Sequence, residues 1–185
     1  MTDKLRVRGA TPADARAIAG IHVDTWQAAY AGIVADSYLA AMTVQGVRPH
    51  WRAILDAPNG IETVLVADAA APGERPRPVG FGSCGPERTS HMGYGGEVFT
   101  LYVTPDWQGT DAGRRLFTEL LARLCAAGAR DAVVWVLAEN PARFFYERMG
   151  GSVIAHRTSA LAGEELRETA YLWPDLPGWL HQMGG

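Results

Sequence analysis

The sequence predicts an α/β fold built around a mixed β-sheet. Between Glu97 and Leu121 an apolar run leads through a glycine-containing loop into a helical segment. Strand-like and helical segments alternate along the chain, and the continuous apolar run of residues 132–137 is typical of a strand buried on both faces. With 185 residues, 48% of them apolar and 20% charged, the chain can bury one sizeable core, and we expect a single domain over residues 1–185.

The first third of the chain predicts one strand followed by helices. Residues 5–8 form a short strand-like run. Thr11-Pro-Ala-Asp14 then indicates a helix start, because Thr is a good N-cap, Pro suits the first helical position and Asp suits the first turn. Apolar residues recur at spacings of three and four as far as Gly32, which predicts an amphipathic helix. Two weaker helical segments are expected over 36–42 and 47–55.

The remaining two thirds predict six strands and two helices. The strands are expected over 61–67, 79–84, 97–104, 132–137, 153–160 and 166–173. The helices are expected over 113–128 and 141–149, the second ending at Gly150 and Gly151. The first two of these strands and the last two predict hairpins, because short polar segments join them. The loop of residues 86–96 is rich in Gly and Pro, and its His91 is expected to be solvated.

Composition excludes several function classes. The net charge is −3 and the basic residues are scattered, so nucleic acid is not an expected partner. The N-terminus lacks the apolar core of a signal peptide, and no apolar run approaches the roughly 20 residues that span a bilayer, so we expect a cytoplasmic protein without a membrane partner. Cys84 and Cys125 lack metal-ligand or disulfide spacing, so we expect buried free thiols and no metal.

The loop between residues 108 and 113 is the strongest functional signal. A strand that delivers a glycine-containing loop to a helix start directs several backbone N–H groups, and the positive end of the helix dipole, at one place. This geometry favours a phosphate or pyrophosphate site. The same pattern also occurs in a plain strand-to-helix connection, so the loop alone does not decide between them. A nucleotide-binding P-loop is not expected, because the loop lacks the Gly-Lys-Ser/Thr ending.

The segment from Glu97 to Gly151, with its Asn140-Pro-Ala-Arg-Phe-Phe-Tyr146 run, resembles the GNAT superfamily of acyl-CoA-dependent N-acetyltransferases. The resemblance extends more loosely to Thr11-Pro-Ala-Asp14 and Thr25-Trp-Gln-Ala-Ala-Tyr30. It implies a central mixed, mostly antiparallel, twisted sheet of about seven strands flanked by helices, with a splayed strand pair that binds the cofactor. It also implies acetyl-CoA as co-substrate and direct acetyl transfer to a primary amine, with a small-molecule acceptor favoured over a protein.

The resemblance assigns a set of cofactor-binding residues. They are Leu101, Tyr102, Val103, Gln108, Gly109, Thr110, Asp111, Ala112, Gly113, Arg114 and Asn140. The strand residues would act through their main chain, and Asn140 is equally interpreted as the N-cap before Pro141. Asp111 departs from the family pattern, which has glycine there. A carboxylate about 6 Å from a pyrophosphate charge costs on the order of 3 kcal/mol, so we expect its side chain to turn away and Arg114 to offset its charge.

The resemblance also assigns catalytic and acceptor-binding residues. Tyr146 matches the family's general acid near the thioester sulfur, and Glu97 matches a general base that often acts through water. Glu97 could equally be a solvated strand-end residue. Trp26 and Tyr30 would line the acceptor pocket, with core packing the alternative for Trp26. His22 is a candidate base or substrate ligand, although a lone His on an apolar helix face is more often a core residue.

Two further alternatives concern the whole chain. A non-catalytic acyl-CoA-binding sensor or regulatory module would use the same fold, and the carboxylate of Asp111 motivates this hypothesis. The apolar C-terminal segment of residues 173–180 could either form a homodimer surface, as is common in the family, or pack on its own domain.

Overall fold

The computed structural model describes residues 5–57, 61–70, 73, 75–89, 92–161 and 163–184, and His91 lies outside them. The strands are β1 Arg6–Gly9, β2 Thr63–Ala69, β3 Arg77–Gly85, β4 Gly96–Val103, β5 Ala132–Leu137, β6 Ser152–Leu161 and β7 Glu164–Trp173. The helices are α1 Ala15–Ala29, α2 Asp36–Ala41, α3 Val44–Asp56, α4 Ala112–Ala126, α5 Arg143–Arg148 and α6 Leu176–Met183. No helix of the described part of the chain is long and apolar enough to cross a bilayer.

The seven strands form one mixed sheet in the order β1-β2-β3-β4-β5-β7-β6. All neighbours pair antiparallel except β4 and β5, which are parallel and joined by the crossover helix α4. The predicted hairpins are confirmed as β2–β3 and β6–β7. The predicted fold class, a mixed and mostly antiparallel sheet flanked by helices, is therefore confirmed.

Strands β4 and β5 separate after only three residue pairs. Their pairing runs from Gly96 with Ala132 to Val98 with Val134, although both strands continue beyond this point. The separation begins at Phe99, which is the extra residue of a β-bulge: on β3, Ser83 pairs with Thr100 and the adjacent Cys84 pairs with Val98. Because a bulge bends its strand and increases the twist, it accounts for the divergence. The splayed strand pair is confirmed as a feature of the fold.

Alternation along β4 distributes its side chains between two hydrophobic clusters on opposite faces of the sheet. Leu101 and Val103 pack in the cluster that contains the buried face of α4. Tyr102 packs with Phe81 of β3 in the cluster formed by α1 and α3. The end of β4 thus connects both layers.

Helix α4 lies unusually close to β3. A Cβ atom at Gly82 would lie 2.6 Å from Leu120 Cδ1 and 2.9 Å from the Thr100 carbonyl oxygen. Glycine is needed at this position for lack of space, and the close approach fixes α4 against the sheet. The first turn of α4 is thereby held at the open end of the splayed strands.

The C-terminal segment packs on its own domain. Trp173 and Leu176 are 1% and 0% exposed, and both belong to the cluster around α4. The indole N–H groups of Trp173 and Trp179 both donate to the Met149 carbonyl, each at 2.9 Å. This packing accounts for the apolar character of the segment without a dimer.

Several element boundaries differ from the sequence prediction for local reasons. Helix α3 begins at Val44 rather than residue 47, because Thr43 is its N-cap and its hydroxyl accepts from the Gly46 N–H at 3.1 Å.

Both cysteines are free, but only Cys84 is fully buried; Cys125 is partly exposed, so the prediction of burial was wrong for it.

Candidate active site

Five backbone N–H groups are free at the loop between β4 and α4. Within the described residues, the amides of Gly109, Thr110, Asp111, Gly113 and Arg114 donate to no oxygen. The amide of Ala112 has only a long contact, 3.3 Å, to the Thr110 hydroxyl. These groups lie at the start of a 15-residue helix, where the dipole adds to their positive potential. The loop is therefore suited to an anion such as a phosphate.

The loop conformation is held by its own side chains. The Gln108 side-chain amide donates to the Val103 carbonyl at 3.0 Å, and the Thr110 hydroxyl donates to the Trp107 carbonyl at 2.6 Å. Gly109 has φ +73°, a conformation that favours glycine. Gln108 thus ties the loop to the end of β4 through its side chain. Its backbone N–H already donates to the Thr104 and Pro105 carbonyls, each at 3.1 Å, so the prediction that this N–H binds the cofactor does not fit the structure.

Asp111 does not distort the loop. Its φ and ψ are −75° and −5°, which is ordinary right-handed backbone, so no glycine is required at this position. Its carboxylate turns outward, as expected, and accepts from Arg114 Nε at 2.7 Å, with both side chains half-exposed. Arg114 therefore neutralises Asp111 in this structure. The pair uses only Nε and Nη2 of the half-exposed guanidinium, so the role of Arg114 as a cofactor ligand stays a prediction.

Three tyrosines, Tyr30, Tyr102 and Tyr146, lie near enough to one another to influence each other's ionisation. The indole N–H of Trp26 donates to the Tyr102 hydroxyl at 3.0 Å. Tyr30 packs against Trp26, with ring centroids 4.6 Å apart, and is 9% exposed. Burial raises the pKa of Tyr30, while the side chains of Asn140 and Tyr102 act on the same hydroxyl in the opposite sense. We call Tyr30, Tyr102 and Tyr146 the tyrosine cluster.

All members of the tyrosine cluster keep their protons at neutral pH. Burial raises the pKa of Tyr146 above its ordinary value, and a negative charge on Tyr30 would raise it further. Burial also raises the pKa of Tyr102, well above the usual range. The ring of Tyr146 packs against Phe117 and Trp173, with centroids 5.7 and 6.2 Å away. The Tyr146 hydroxyl is therefore protonated at neutral pH, so it could donate a proton but has no phenolate form that could act as a base.

Asn140 lies at the end of β5 and is 6% exposed. Its side-chain oxygen accepts from the Ala142 N–H at 2.8 Å, which forms the turn that leads into α5. The capping bond expected of Asn140 before Pro141 is therefore present, although the regular helix α5 begins only at Arg143 and its own N-cap residue is Ala142. The Asn140 side chain also lies near the Tyr30 hydroxyl, and it acts to lower the pKa of Tyr30.

Glu97 is buried rather than solvated, at 1% exposed. Its Oε1 accepts from Arg88 Nη2 at 2.6 Å and from Arg88 Nε at 3.2 Å, while its Oε2 accepts from the Arg88 backbone N–H at 3.0 Å. The solvated alternative for Glu97 was therefore wrong. Both carboxylate oxygens are occupied, so the predicted base function would require Arg88 to withdraw.

Arg88 is the site residue that the sequence analysis missed. Its guanidinium lies 4.1 Å from the centroid of the Phe99 ring, at the bulge where β4 leaves β5. It lies in a loop nine positions before Glu97, and nothing in its local sequence indicates this contact.

No group of three His, Cys, Asp or Glu side chains that could hold a metal ion occurs in the described part of the chain.

Comparisons with known proteins agree with this geometry. Residues 60–150 match the family model described as an acetyltransferase (GNAT) domain. An uncharacterised N-acetyltransferase of Bacillus subtilis, YuaI, is 31% identical over 170 residues, covering 92% of this chain and 93% of the relative.

Solved structures show the same fold. A GCN5-related N-acetyltransferase from Rhodopseudomonas palustris is 27% identical, with a TM-score of 0.69, covering 93% of this chain and 97% of that one. The structure of yncA from Salmonella typhimurium with its cofactor acetyl-CoA is 22% identical, with a TM-score of 0.66, covering 93% of this chain and 94% of that one. On the similarity of sequence over nearly its whole length, supported by the shared fold, the chain belongs to the GNAT superfamily of N-acetyltransferases.

Proposed function

We propose that this protein transfers the acetyl group of acetyl-CoA directly to a primary amine, with a small molecule favoured over a protein as acceptor. The observation that carries the proposal is the row of free N–H groups over residues 109–114, beside the open end of β4 and β5. The pyrophosphate of acetyl-CoA would bind these groups. Its pantetheine arm would pair with the main chain of residues 101–103, where β4 has no partner strand on the side of β5.

In the proposed reaction, a neutral amine attacks the thioester carbonyl carbon. A C–N bond forms, the C–S bond breaks, and the leaving thiolate takes a proton from the Tyr146 hydroxyl. The proton that the attacking nitrogen loses passes through water and restores that hydroxyl. The main-chain N–H near Tyr102 or Val103 would stabilise the oxyanion. Asn140 and Tyr30 would help to align the hydroxyl groups of the tyrosine cluster.

Glu97 is the weaker of the two catalytic assignments. Its carboxylate accepts three hydrogen bonds from Arg88, which favours an electrostatic role over proton transfer. We propose that the acceptor enters as the neutral amine or loses its proton through water, with Glu97 as base only after Arg88 withdraws.

Direct transfer is favoured over a covalent acyl-cysteine intermediate. Burial raises the pKa of the Cys84 thiol to about 12, so the thiolate is scarce at neutral pH. Its thiol contacts the Leu120 carbonyl on the α4 side of the sheet, whereas Tyr30 packs with Trp26 on the other side.

Calorimetric titration of acetyl-CoA into the purified protein tests the cofactor, and release of CoA thiol with a panel of small amines tests the reaction. We expect saturable binding and amine-dependent release. Tyr146→Phe should lower kcat by about 10²-fold or more without changing the Kd for acetyl-CoA, because it removes only the proton donor.

Tyr171→Phe is the matched control for the loss of the Tyr146 hydroxyl. Its ring lies 6.0 Å from that of Tyr146, but its hydroxyl donates to Glu147 at 2.9 Å. We expect it to keep kcat. Binding of acetyl-CoA without release of thiol by any amine would favour the alternative, a non-catalytic acyl-CoA sensor.

A further inference from the structure

His22 is the one histidine that the described structure places against the tyrosine cluster. It lies on α1, where its ring stacks on Trp26 at 5.5 Å with an interplanar angle of 15°. Its ring also meets the edge of Tyr102, with centroids 5.5 Å apart. His22 therefore contacts the side chain of Tyr102, which lies in the splayed part of β4. It is only partly buried.

The contact with Trp51 fixes the tautomer of His22. The indole Nε1–H of Trp51 donates to His22 Nδ1 at 3.1 Å. An indole nitrogen is a donor only, so Nδ1 must be unprotonated. In the neutral ring the proton therefore resides on Nε2. Trp51 is 2% exposed and packs on Phe81, so this donor has little freedom to turn away.

The Nε2–H group is available for a ligand. No described residue accepts a hydrogen bond from it, and it is not among the polar atoms sealed from solvent without a partner. The hydroxyl of Tyr102, whose ring meets that of His22, accepts from Trp26 and makes no hydrogen bond with the His22 ring. His22 thus presents a single N–H donor of fixed orientation beside the rings of Trp26 and Tyr102, which we call the aromatic wall.

We propose that His22 determines acceptor specificity: its Nε2–H donates to an oxygen of the acceptor, which is an amine that also carries a carbonyl or carboxylate group. This inference rests on the proposed acetyl transfer for its meaning, because it describes the acceptor half of that site. It names a chemical class that the fold alone does not define.

The same geometry excludes His22 as the general base. A base needs a free lone pair, and the only lone pair of the neutral ring is occupied by Trp51. Burial, together with the charge of His50, lowers the pKa of His22 from 6.5 to about 4, so the ring resists a second proton. In this proposal His22 binds the acceptor through Nε2–H and does not take a proton from the attacking amine.

Two variants separate the two ring nitrogens. His22→Gln places an amide N–H near the position of Nε2 and keeps a donor for the acceptor. His22→Asn places an oxygen near the position of Nδ1, which keeps a partner for Trp51 but removes the donor. Their melting temperatures show whether each variant is folded.

The experiment follows the imidazole of His22 by NMR in the full-length protein labelled with ¹⁵N-histidine, assigned by the signal that His22→Asn removes. We expect the Nε2–H tautomer at pH 7. Phenylalaninamide and phenethylamine are then titrated with CoA present, which cannot donate an acetyl group. The first amine carries a carbonyl oxygen and the second does not, and both suit the aromatic wall.

Binding of phenylalaninamide should move the Nε2 proton signal downfield, and the amide should bind about tenfold more tightly than phenethylamine. His22→Gln should keep this preference and His22→Asn should lose it. The proposal is overturned by an Nδ1–H tautomer, or by no saturable binding of phenylalaninamide at millimolar concentrations. It is also overturned if both amines move the Nε2 proton signal equally, or if His22→Gln and His22→Asn are both folded and lose the preference for phenylalaninamide to the same extent. Release of CoA thiol from acetyl-CoA is measured separately, so failure of acetyl transfer is distinguishable from failure of this inference.

Discussion

At the scale of single residues, His22 and Asp14 are both deprotonated at neutral pH, His22 as a neutral ring and Asp14 as a charged carboxylate, each for a local reason. His22 is kept neutral by burial among aromatic rings, which lowers its pKa to about 4. Asp14 is kept charged by hydrogen bonds from Arg8, which lower its pKa to about 2. The two groups therefore act on stability in different ranges of pH.

The His22 shift predicts a loss of stability in mild acid. Between pH 6.5 and pH 4 the unfolded chain binds a proton at His22 that the folded chain does not, so the free energy of unfolding falls as pH falls. The full shift corresponds to roughly 3 kcal/mol, and because His22 is only partly buried we expect a contribution of about 2 kcal/mol over this window, measured by urea unfolding at several pH values. The contribution of Asp14, present above pH 3.8, is lost only at lower pH as it approaches 2.

Matched variants isolate this contribution. His22→Gln should flatten the slope between pH 6.5 and pH 4, whereas His181→Gln should not, because His181 is exposed on α6. An unchanged slope in His22→Gln would show that the imidazole is not held neutral.

At the scale of elements, the loop between β4 and α4 carries the ion pair of Asp111 and Arg114, and the function of this pair can be tested. Arg114 either neutralises Asp111 or binds a phosphate directly. We predict neutralisation, because the pair is already formed at 2.7 Å. Arg114→Ala should then weaken acetyl-CoA binding severalfold in the wild-type background and much less in the Asp111→Gly background, where no carboxylate is left to neutralise.

Calorimetry on the wild type, the two single variants and the double variant measures how far the effect of Arg114→Ala on acetyl-CoA binding depends on Asp111. An equal loss from Arg114→Ala in both backgrounds would mean that the guanidinium binds the cofactor itself. Asp111→Gly alone should tighten binding only modestly, since half-exposed charges interact weakly and this one is already paired.

The contact of α4 with β3 makes a second prediction about elements. Gly82→Ala should lower the free energy of unfolding by about 2 kcal/mol, because the new Cβ would meet Leu120 and the Thr100 carbonyl at 2.6 and 2.9 Å. Gly20→Ala is the control: no atom lies within 4 Å of its added Cβ, and alanine favours the helix, so we expect a gain of about 0.5–1 kcal/mol. Thermal or urea unfolding checks both, and a neutral Gly82→Ala would mean that α4 can shift away from the sheet.

The sequence predicted elements better than it predicted contacts. Strands, helices and the glycine loop were recovered because periodicity and caps are local signals, and the Thr11 start is an example. The bond of Trp51 to His22 joins positions 29 apart, and no local pattern indicates it. The burial of Glu97 under Arg88 was missed for the same reason, since a strand-end carboxylate is usually solvated.

At the scale of the whole molecule, the C-terminal helix α6 supports the end of the protein that carries Tyr146. The Met149 carbonyl, directly after α5, accepts from both Trp173 and Trp179. The Phe117 ring of α4 contacts the rings of Tyr146 and Trp179, with centroids 5.7 and 6.1 Å away. Packing of α6 and the position of the proposed proton donor are therefore connected through shared neighbours.

This connection predicts separate effects on catalysis and on cofactor binding. Trp179→Ala removes a hydrogen bond and part of the packing on Phe117, so we expect the free energy of unfolding to fall by about 2 kcal/mol and kcat to fall with it. The Kd for acetyl-CoA should stay unchanged, because the indole N–H of Trp179 donates to the Met149 carbonyl and not to the loop that carries the free N–H groups. Trp179→Phe keeps an aromatic ring and loses only the bond to Met149, so it should cost about 1 kcal/mol and retain most of kcat. Urea unfolding, calorimetry and thiol release measure the three quantities, and a destabilised Trp179→Ala with wild-type kcat would show that Tyr146 is positioned without α6.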